Sequence, residues 1–471
     1  MTTSTSSTSL GSSNGTYDPT STATALAQAY TADQQTSITN DTATATATAN
    51  ALTTLNNALT AFDTSVTNLS SQSSILANTA TFSDTTVGSA TADPTAVAGS
   101  YSFFVQQLAT AGQVSYSGLS NTTAAGSGNL TVTLADGNSF SIDLASADTN
   151  HDGTLSPQEI AAAINVAAQN NSQVTASTLN VNGSTTLVLT SNATGAQNAA
   201  SLDTSGVTNA TLKAALDGGQ KTLVTAQDAI AWVGPQNTGT EIQQASNTFN
   251  VVSGVAMTFT KAQTAGDAPV TLTVGTDSTT TAANVQSFVT AFNTLQGVLN
   301  TLTSEGNPTN SVAAGPFADD SGLLALQSQL NNLVRTSVGG QSLVNYGISG
   351  QTDGTLTLDT TRLAKAVAAN PTGLNNIFGN ATLGNETGVL GNIDTLMNQW
   401  TNAATGVIVE RQSAVTAQQK SIADRQTDLD NQYNDAYARY LAEFTALQTL
   451  QSQMTSNTNL FTALFGSSSS S

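Results

Sequence analysis

The chain has 471 residues, 8% charged residues, a net charge of −20 and no cysteine. Ten scattered Lys and Arg residues argue against nucleic-acid binding, and without cysteine there is no disulfide framework, thiolate metal site or cysteine nucleophile. No apolar run is long enough to span a bilayer, so membrane insertion is not expected, and the N-terminus lacks the features of a signal peptide. We expect about three or four domains in an exported protein without a cleavable signal peptide.

The N-terminal segment is predicted to become more strongly helical toward its C-terminal end. Residues 1–16 form a Ser/Thr/Gly/Asn tract that should be disordered. A helix is predicted over 18–68, with Asp18 as its cap and Pro19 in its first turn. Thr and Ala alternate through 42–49, so the first half should be weakly helical and order on assembly. The strong heptad positions are Leu52, Leu55, Leu59, Phe62, Val66 and Leu69.

The pattern changes to a period of two after residue 81. The predicted strands are 100–109, 128–137, 139–144, 175–181, 185–190, 248–260 and 268–274. Two of the turns are predicted to be tight, at Asp136-Gly137 and at Asn182-Gly183. A helix is predicted over 157–169, and it should bury Ile160, Ile164 and Val166.

Helical periodicity returns at about residue 281. The repeating apolar positions are Val285, Phe288, Phe292, Leu295, Leu299 and Leu302. Further helices are predicted at 323–334, 363–369 and 373–378, with a short strand at 354–358. The acid pair Asp319-Asp320 precedes one of these helices, so it is interpreted as an N-cap and not as a catalytic pair.

The last segment, 407–465, is predicted to be one long helix. Its apolar stripe is Ile408, Val415, Ile422, Leu429, Tyr437, Tyr440, Phe444, Leu447 and Met454. The stripe at the N-terminal end of the chain is its predicted partner; the alternative is that the two stripes pack into separate cores. The basic residues of this helix, Arg411, Lys420, Arg425 and Arg439, should form ion pairs within or between helices.

These elements predict a multidomain α+β fold. Antiparallel β-rich head domains are inserted into a helical stalk, and heptad (coiled-coil) helices form the N- and C-terminal ends of the chain. The expected domains are a disordered or weakly helical segment at 1–50, a helical stalk at 51–84 and 278–405, an inner β head at 85–117 and 222–277, an outer head with a calcium-loop motif at 118–221, and the C-terminal coiled-coil helix at 406–471.

One local motif predicts a metal site. Residues 148–159 match the twelve-residue calcium loop at every constrained position, with Gly153 at the sharp turn and Leu155 packing inward. The predicted metal ligands are Asp148, Asn150, Asp152, the backbone carbonyl of Thr154, Ser156 and Glu159. Since a strand precedes the loop where a helix is usual, the alternative is an Asx-rich turn that caps the next helix without metal.

The predicted cofactor is therefore Ca²⁺, bound weakly at about 0.1–1 mM, with the role of stiffening the head. No enzymatic activity is expected. The single histidine, His151, lies at a non-ligand position of the loop, which disfavours a histidine general base. The sequence has no phosphate loop, dinucleotide fingerprint or zinc pair.

Several stretches, in this order and spacing, resemble the bacterial flagellar filament cap protein (flagellar hook-associated protein 2) family. They are 55–69, Thr85, Val87, 90–92, 99–101, 105–109, 160–165, 174–176, 187–191, 194–195, 226–229, 246–248, 254–255, 288–289, 347–348, 353–356, Asp359, 370–371, 377–378, 439–440, Phe444, 446–447 and Met454. The first fifty residues depart from the family, since an uncharged Thr/Ala tract replaces its usual basic helix.

The resemblance implies a structural, non-enzymatic cap at the filament tip, outside the cell. The cap is expected to be a homo-oligomer of about five subunits whose β head forms a plate and whose stalks act as legs. Exported flagellin folds and inserts beneath the plate, which prevents its loss. The other implied partners are hook-associated junction proteins and a flagellar export chaperone.

Three alternatives remain open from the sequence. A flagellin or a hook–filament junction protein also joins N- and C-terminal helices and lacks cysteine, although the pieces within 353–378 favour the cap. A calcium-stiffened extracellular adhesin is the second alternative, and surface adhesion could coexist with capping. A hydrolase is the third.

Overall fold

The computed structural model describes residues 18–72, 74–181, 183–382 and 384–465. The disorder predicted for residues 1–16 lies outside these ranges. The helices are α1 (Pro19–Ser71), α2 (Pro157–Val166), α3 (Ala210–Gly218), α4 (Ser278–Leu302), α5 (Ser321–Leu333), α6 (Thr360–Ala369), α7 (Pro371–Phe378), α8 (Gly388–Thr401) and α9 (Val407–Phe465).

The strands pair in antiparallel ladders. They are β1 (Asn78–Phe82), β2 (Gly88–Ala92), β3 (Gly99–Gln107), β4 (Gln113–Leu119), β5 (Thr122–Thr123), β6 (Asn129–Leu134), β7 (Ser139–Asp143), β8 (Thr154–Leu155), β9 (Val174–Val181), β10 (Ser184–Ser191), β11 (Ala200–Asp203), β12 (Gln220–Val224), β13 (Ala229–Val233), β14 (Thr240–Gln244), β15 (Thr248–Val252), β16 (Val255–Phe259), β17 (Val270–Thr276), β18 (Ser337–Val338), β19 (Gln341–Ser342), β20 (Ile348–Gly350) and β21 (Leu356–Leu358). The predicted α+β fold with long terminal helices is confirmed.

The chain divides into two compact units. One comprises Met1–Ile75 and Ala282–Ser471, and the other comprises Leu76–Thr281. The second unit is thus an insertion, in chain order, into the first. Because both ends of the chain belong to one unit, its core needs contacts between residues that are hundreds of positions apart in sequence.

In the first unit, α1 packs along α9, which confirms the predicted pairing of the two terminal helices. Ile38 and Ala45 of α1 share a buried cluster with Ile422 and Leu429 of α9. Asp41 forms an ion pair with Arg425 at 2.6 Å, and Gln35 exchanges hydrogen bonds with Gln426 at 3.0 Å. The seam is therefore apolar at its centre and polar along its margin.

The first half of α1, expected to be weakly ordered, is continuous helix in the structure. Asp18 caps its N-terminus by accepting hydrogen bonds from the backbone N–H groups of Thr20 and Ser21, and Pro19 follows as predicted. Ala23 and Ala27 are buried, and the buried Thr31 hydroxyl donates to the carbonyl of Ala27. Small side chains, and hydroxyls that donate to the backbone of the preceding turn, thus let this segment pack closely.

The apolar stripe of α9 is buried over only part of the helix. Ile408, Val415, Ile422 and Leu429 are buried as predicted. The predicted continuation of the seam through Leu447 and Met454 is wrong for the described chain, because those side chains are 50% and 63% exposed. Burial requires an opposite surface as well as a periodic stripe.

The remaining helices of the first unit build a core around aromatic side chains. Phe62 of α1 contacts Phe288 and Phe292 of α4 at centroid distances of 6.4 and 6.0 Å, and Phe288 meets Phe378 edge-on at 5.3 Å. The six predicted heptad positions of α4, from Val285 to Leu302, are all buried. The 3.6-residue period therefore located the core face of this helix.

Two hydrophobic clusters lie among the described residues of the second unit. The first lies within the sheet β1-β17-β3-β13-β14 and the smaller sheet β15-β16-β2, and it includes Phe82, Phe103, Phe249 and Phe259. The second is formed by the sheets β12-β4-β10-β9 and β11-β6-β7 together with α2 and α3. The candidate site lies on this second cluster.

Helix α2 is shorter than predicted. It ends at Val166, and a 3₁₀ turn, Ala168–Asn170, follows it. Ile160 and Ile164 are buried as expected, but the prediction that Val166 is buried is wrong, since its side chain is 81% exposed. The helix is anchored at its C-terminal end by Asn170, whose side chain bonds the backbone of Ile164 and Val174.

Candidate functional site

The predicted calcium loop, residues 148–159, follows β7 after a short gap and includes the first turn of α2. Its strand β8 pairs with β5, in the register Thr122 opposite Leu155. Leu155 is fully buried in the core beneath the loop, as predicted for the eighth loop position. Strand β5 could not be predicted from the sequence, because a strand of two residues shows no alternating pattern. Its pairing with β8 supports the loop.

The first half of the loop is a tight turn held by side-chain oxygens. Asp148 Oδ2 accepts a hydrogen bond of 2.9 Å from the backbone N–H of Gly153, five residues later. Asn150 Oδ1 accepts from the N–H of Asp152 at 2.8 Å. Gly153 has a φ of +80°, and His151, at +59°, also lies in the left-handed region. Because this conformation favours glycine, Gly153 is the residue that lets the loop close.

The second half of the loop is a capping box. Ser156 Oγ accepts from the N–H of Glu159 at 3.3 Å, and Glu159 Oε2 accepts from the N–H and the hydroxyl of Ser156 at 2.9 and 2.7 Å. Asp152 Oδ1 likewise accepts from the N–H and hydroxyl of Thr154 at 2.7 and 2.6 Å. The loop therefore caps the N-terminus of α2, which is the role that the metal-free alternative predicts for it.

These contacts also shift the acidity of two loop carboxyls. The pKa of Glu159 is lowered, first by the backbone N–H of Ser156 and then by its hydroxyl. The pKa of Asp152 is lowered mainly by the Thr154 hydroxyl and next by the Thr154 N–H. Both groups are thus held in the charged form, which is the form that binds cations.

The arrangement brings together some of the predicted ligands but not all of them. Asp148 and Glu159 are buried at the two ends of the loop, whereas the side chain of Asp152 is exposed. Among the residues that the structure describes, no three His, Cys, Asp or Glu side chains form a metal-binding group. His151 is exposed at the loop surface.

The first unit has a different kind of candidate surface, the C-terminal part of α9. Leu450, Met454, Leu460 and Leu464 are each more than half exposed. Over the described ranges, no helix is long and apolar enough to cross a membrane. Exposed apolar side chains repeated along one helix are typical of a surface that binds another protein.

The chain is similar to known flagellar proteins along most of its length. Models of the flagellar hook-associated protein 2 N-terminus and C-terminus match residues 15–112 and 226–456. The calcium-loop motif lies between these matched ranges. The lateral flagellar hook-associated protein 2 of Vibrio parahaemolyticus is 32% identical over 378 residues, which cover 79% of this chain and 82% of that protein.

A protein sequence and a crystal structure from Escherichia coli extend this similarity. The flagellar hook-associated protein 2 of strain K12 is 29% identical, over 95% of this chain and 96% of that protein. The crystal structure of the D1-D2-D3 domains of the flagellar cap protein FliD from this organism superimposes with a TM-score of 0.61 at 28% identity. That match covers 78% of this chain and 99% of the solved chain.

Proposed function

The chain belongs to the flagellar hook-associated protein 2 family, and from this premise we propose that it is the structural cap at the tip of a bacterial flagellar filament. In this proposal the cap is a homo-oligomer of about five copies. It promotes the folding and insertion of exported flagellin and prevents the loss of flagellin to the medium. Hook-associated junction proteins and a flagellar export chaperone are the other partners.

One observation supports this function best: the terminal helices form a pair from which α9 presents exposed apolar side chains. Ile38 and Ala45 pack against Ile422 and Leu429 within the pair. Beyond it, Leu450 and Met454 are 54% and 63% exposed. Burying such side chains contributes about 1.5–3 kcal/mol each, so neighbouring copies and filament subunits can gain stability by covering them.

The margin of the helix pair supports a reversible contact. Asp41 and Arg425 are nearly half exposed at their ion pair, and the Gln35–Gln426 contact is exposed. Exposed ion pairs typically contribute only about 0.2–1 kcal/mol, so these contacts can break and re-form at a small cost in free energy. A cap that moves as the filament grows needs contacts of this kind, and we propose that these permit the movement.

Immunogold electron microscopy of intact flagellated cells, with antibody raised against this chain, tests the proposal. We expect gold at filament tips only, with no label on cells from which the gene is deleted. Label along whole filaments would indicate a flagellin, and label at the base would indicate a junction protein. Label away from flagella would contradict a flagellar role and favour a separate adhesin.

A further inference from the structure

Two buried carboxylate oxygens in the loop at residues 148–159 have no hydrogen-bond partner among the described residues: Asp148 Oδ1 and Glu159 Oε1. The two residues are only 7% and 9% exposed. The other oxygen of each group is occupied, Asp148 Oδ2 by the N–H of Gly153 and Glu159 Oε2 by Ser156. Turn and cap formation therefore explain one oxygen of each carboxylate and leave the second unexplained.

Leaving a buried anionic oxygen unpaired is costly, because it has lost water without gaining a donor or a positive charge. The ion pairs in the described part of the chain involve Lys213, Arg411, Lys420 and Arg425, and none of them includes Asp148 or Glu159. A bound cation supplies the positive charge that these oxygens lack. The net charge of −20 favours its approach.

We propose that this loop is a calcium site that the cap function does not require. Asp148 and Glu159 provide the buried oxygens, and Asn150, Asp152 and Ser156 provide further side-chain oxygens. Thr154 contributes its backbone carbonyl. This is an all-oxygen donor set, which a hard cation prefers, and its size suits the six to eight ligands of Ca²⁺ better than the strict octahedron of Mg²⁺. Zn²⁺ is disfavoured because the set has no nitrogen or sulfur ligand.

Calcium binding must reorganise one side chain. Asp152 is exposed, and its Oδ1 is hydrogen-bonded to Thr154. The carboxylate has to turn toward the metal, either with Oδ2 or by giving up the Oδ1 bonds, and this reorganisation makes the site weak, with a Kd of about 0.1–1 mM. Because Leu155 and Ile160 anchor the loop and α2 in the same core, the bound ion stabilises the whole second cluster.

The test uses the full chain, with its thermal unfolding followed by circular dichroism in EDTA and in about 10 mM CaCl₂, roughly tenfold above the weakest expected Kd. For the wild type we expect calcium to raise Tm by at least about 3 °C, and the same concentration of MgCl₂ to give no comparable rise. Asp148→Asn should remove this rise. In EDTA, Asp148→Asn should be at least as stable as the wild type, because the amide removes the buried negative charge.

A matched control comes from a second Asp-Gly-Thr turn in the other unit. Asp353 Oδ1 accepts from the N–H and hydroxyl of Thr355 at 3.0 and 2.6 Å, which is the geometry of Asp152 and Thr154. Asp353→Asn should keep the full calcium response, whereas Glu159→Gln should weaken calcium binding at least about tenfold in calorimetric titration. A wild-type Tm that calcium leaves unchanged, or an equal rise in Asp148→Asn, would overturn the proposal.

Discussion

The guanidinium of Arg411 forms a two-point ion pair with the carboxylate of Asp320. The distances are 2.6 Å from Nη1 to Oδ2 and 2.9 Å from Nη2 to Oδ1. Asp320 is also the N-cap of α5, because its Oδ1 accepts from the N–H of Leu323 at 2.9 Å. The guanidinium lies 5.6 Å from the centre of the buried Trp400 ring. The Asp320 carboxylate thus caps the N-terminus of α5 and, through its ion pair with Arg411, links α9 to α5.

Removing this carboxylate should destabilise the first unit. We expect Asp320→Ala to lower the free energy of unfolding by about 2–4 kcal/mol, since it removes a helix cap and leaves a partly buried guanidinium unpaired. Urea unfolding followed by circular dichroism measures this change. The neighbouring Asp319 is exposed, so Asp319→Ala should change stability by less than about 0.5 kcal/mol. Equal losses in the two variants would contradict the assigned role.

The ion pair of Asp320 with Arg411 also predicts how the stability of the chain depends on pH. Burial raises the pKa of Asp320, but hydrogen bonds from Arg411 and from the Leu323 N–H outweigh it and hold the pKa below its ordinary 3.8. Because the folded pKa is lowered, the stabilisation is complete above pH 3.8 and is lost as pH falls through the folded pKa. Asp320→Asn should therefore show a smaller loss of Tm between neutral pH and pH 3 than the wild type.

Asp63 predicts the opposite dependence on pH. Burial, followed by the negative charge of Asp394, raises its pKa, and its Oδ1 is buried without a hydrogen-bond partner among the described residues. A raised folded pKa means that the ionised group opposes folding at neutral pH and that this penalty fades as pH falls toward 3.8. Solvent screens part of the repulsion, so Asp63→Asn should stabilise the chain by about 0.5–1 kcal/mol at pH 7.

The pH profile separates this effect from a general gain in packing. The advantage of Asp63→Asn over the wild type in urea unfolding should be full at neutral pH and should shrink as pH falls through the raised folded pKa toward 3.8. An advantage that stays constant with pH would show that charge is not its cause. Asp33→Asn provides a control on the same helix, since Asp33 is exposed and its replacement should change the free energy of unfolding by less than about 0.5 kcal/mol.

The aromatic cluster of the first unit predicts a large packing effect. Phe62 is 2% exposed and meets Phe292 edge-on at 6.0 Å. Phe62→Ala should cost about 3–5 kcal/mol, because it removes buried apolar area and leaves a cavity among rings that cannot collapse fully. Leu460→Ala, on the exposed part of α9, should cost less than about 0.5 kcal/mol in the isolated chain. Urea unfolding measures both.

The exposed side chains of α9 should matter for assembly and not for folding. Replacing Leu450, Met454 and Leu460 with Ser should leave the Tm of the isolated chain within about 2 °C of the wild type. In cells the same variant should release flagellin monomers into the medium, because the cap cannot hold the filament tip. The polar positions Gln453 and Asn457 provide a matched control, and their replacement by Ser should leave filament length unchanged.

Truncation gives a stricter form of this experiment. A chain that ends at Ala446 lacks all of these apolar positions but keeps the buried seam from Ile408 to Leu429. We expect it to fold and to fail in cap assembly, as shown by filament length in electron microscopy. Normal filaments capped by this truncated chain would refute the role assigned to the end of α9.

Local chemistry made much of the fold predictable from sequence. The Asp18-Pro19 start of α1, the hairpin turning at Asp136-Gly137 and the heptads of α4 are each determined by residues close together in the chain, and each lies in the structure where the sequence predicts it. The loop at residues 148–159 is also a local pattern. Its turn at Gly153 and its cap at Ser156 could be predicted for the same reason.

Tertiary structure alone decided which of these groups are buried. The stripe of α9 has the same spacing at Leu429 and at Met454, but only Leu429 has α1 opposite it. The pairing of Arg411 with Asp320 and the support of β8 by β5 join residues that are distant in sequence. The buried, unpaired oxygens of Asp148 and Glu159 also depend on the surrounding core. Periodicity specifies which face a residue occupies, whereas burial depends on what packs against that face.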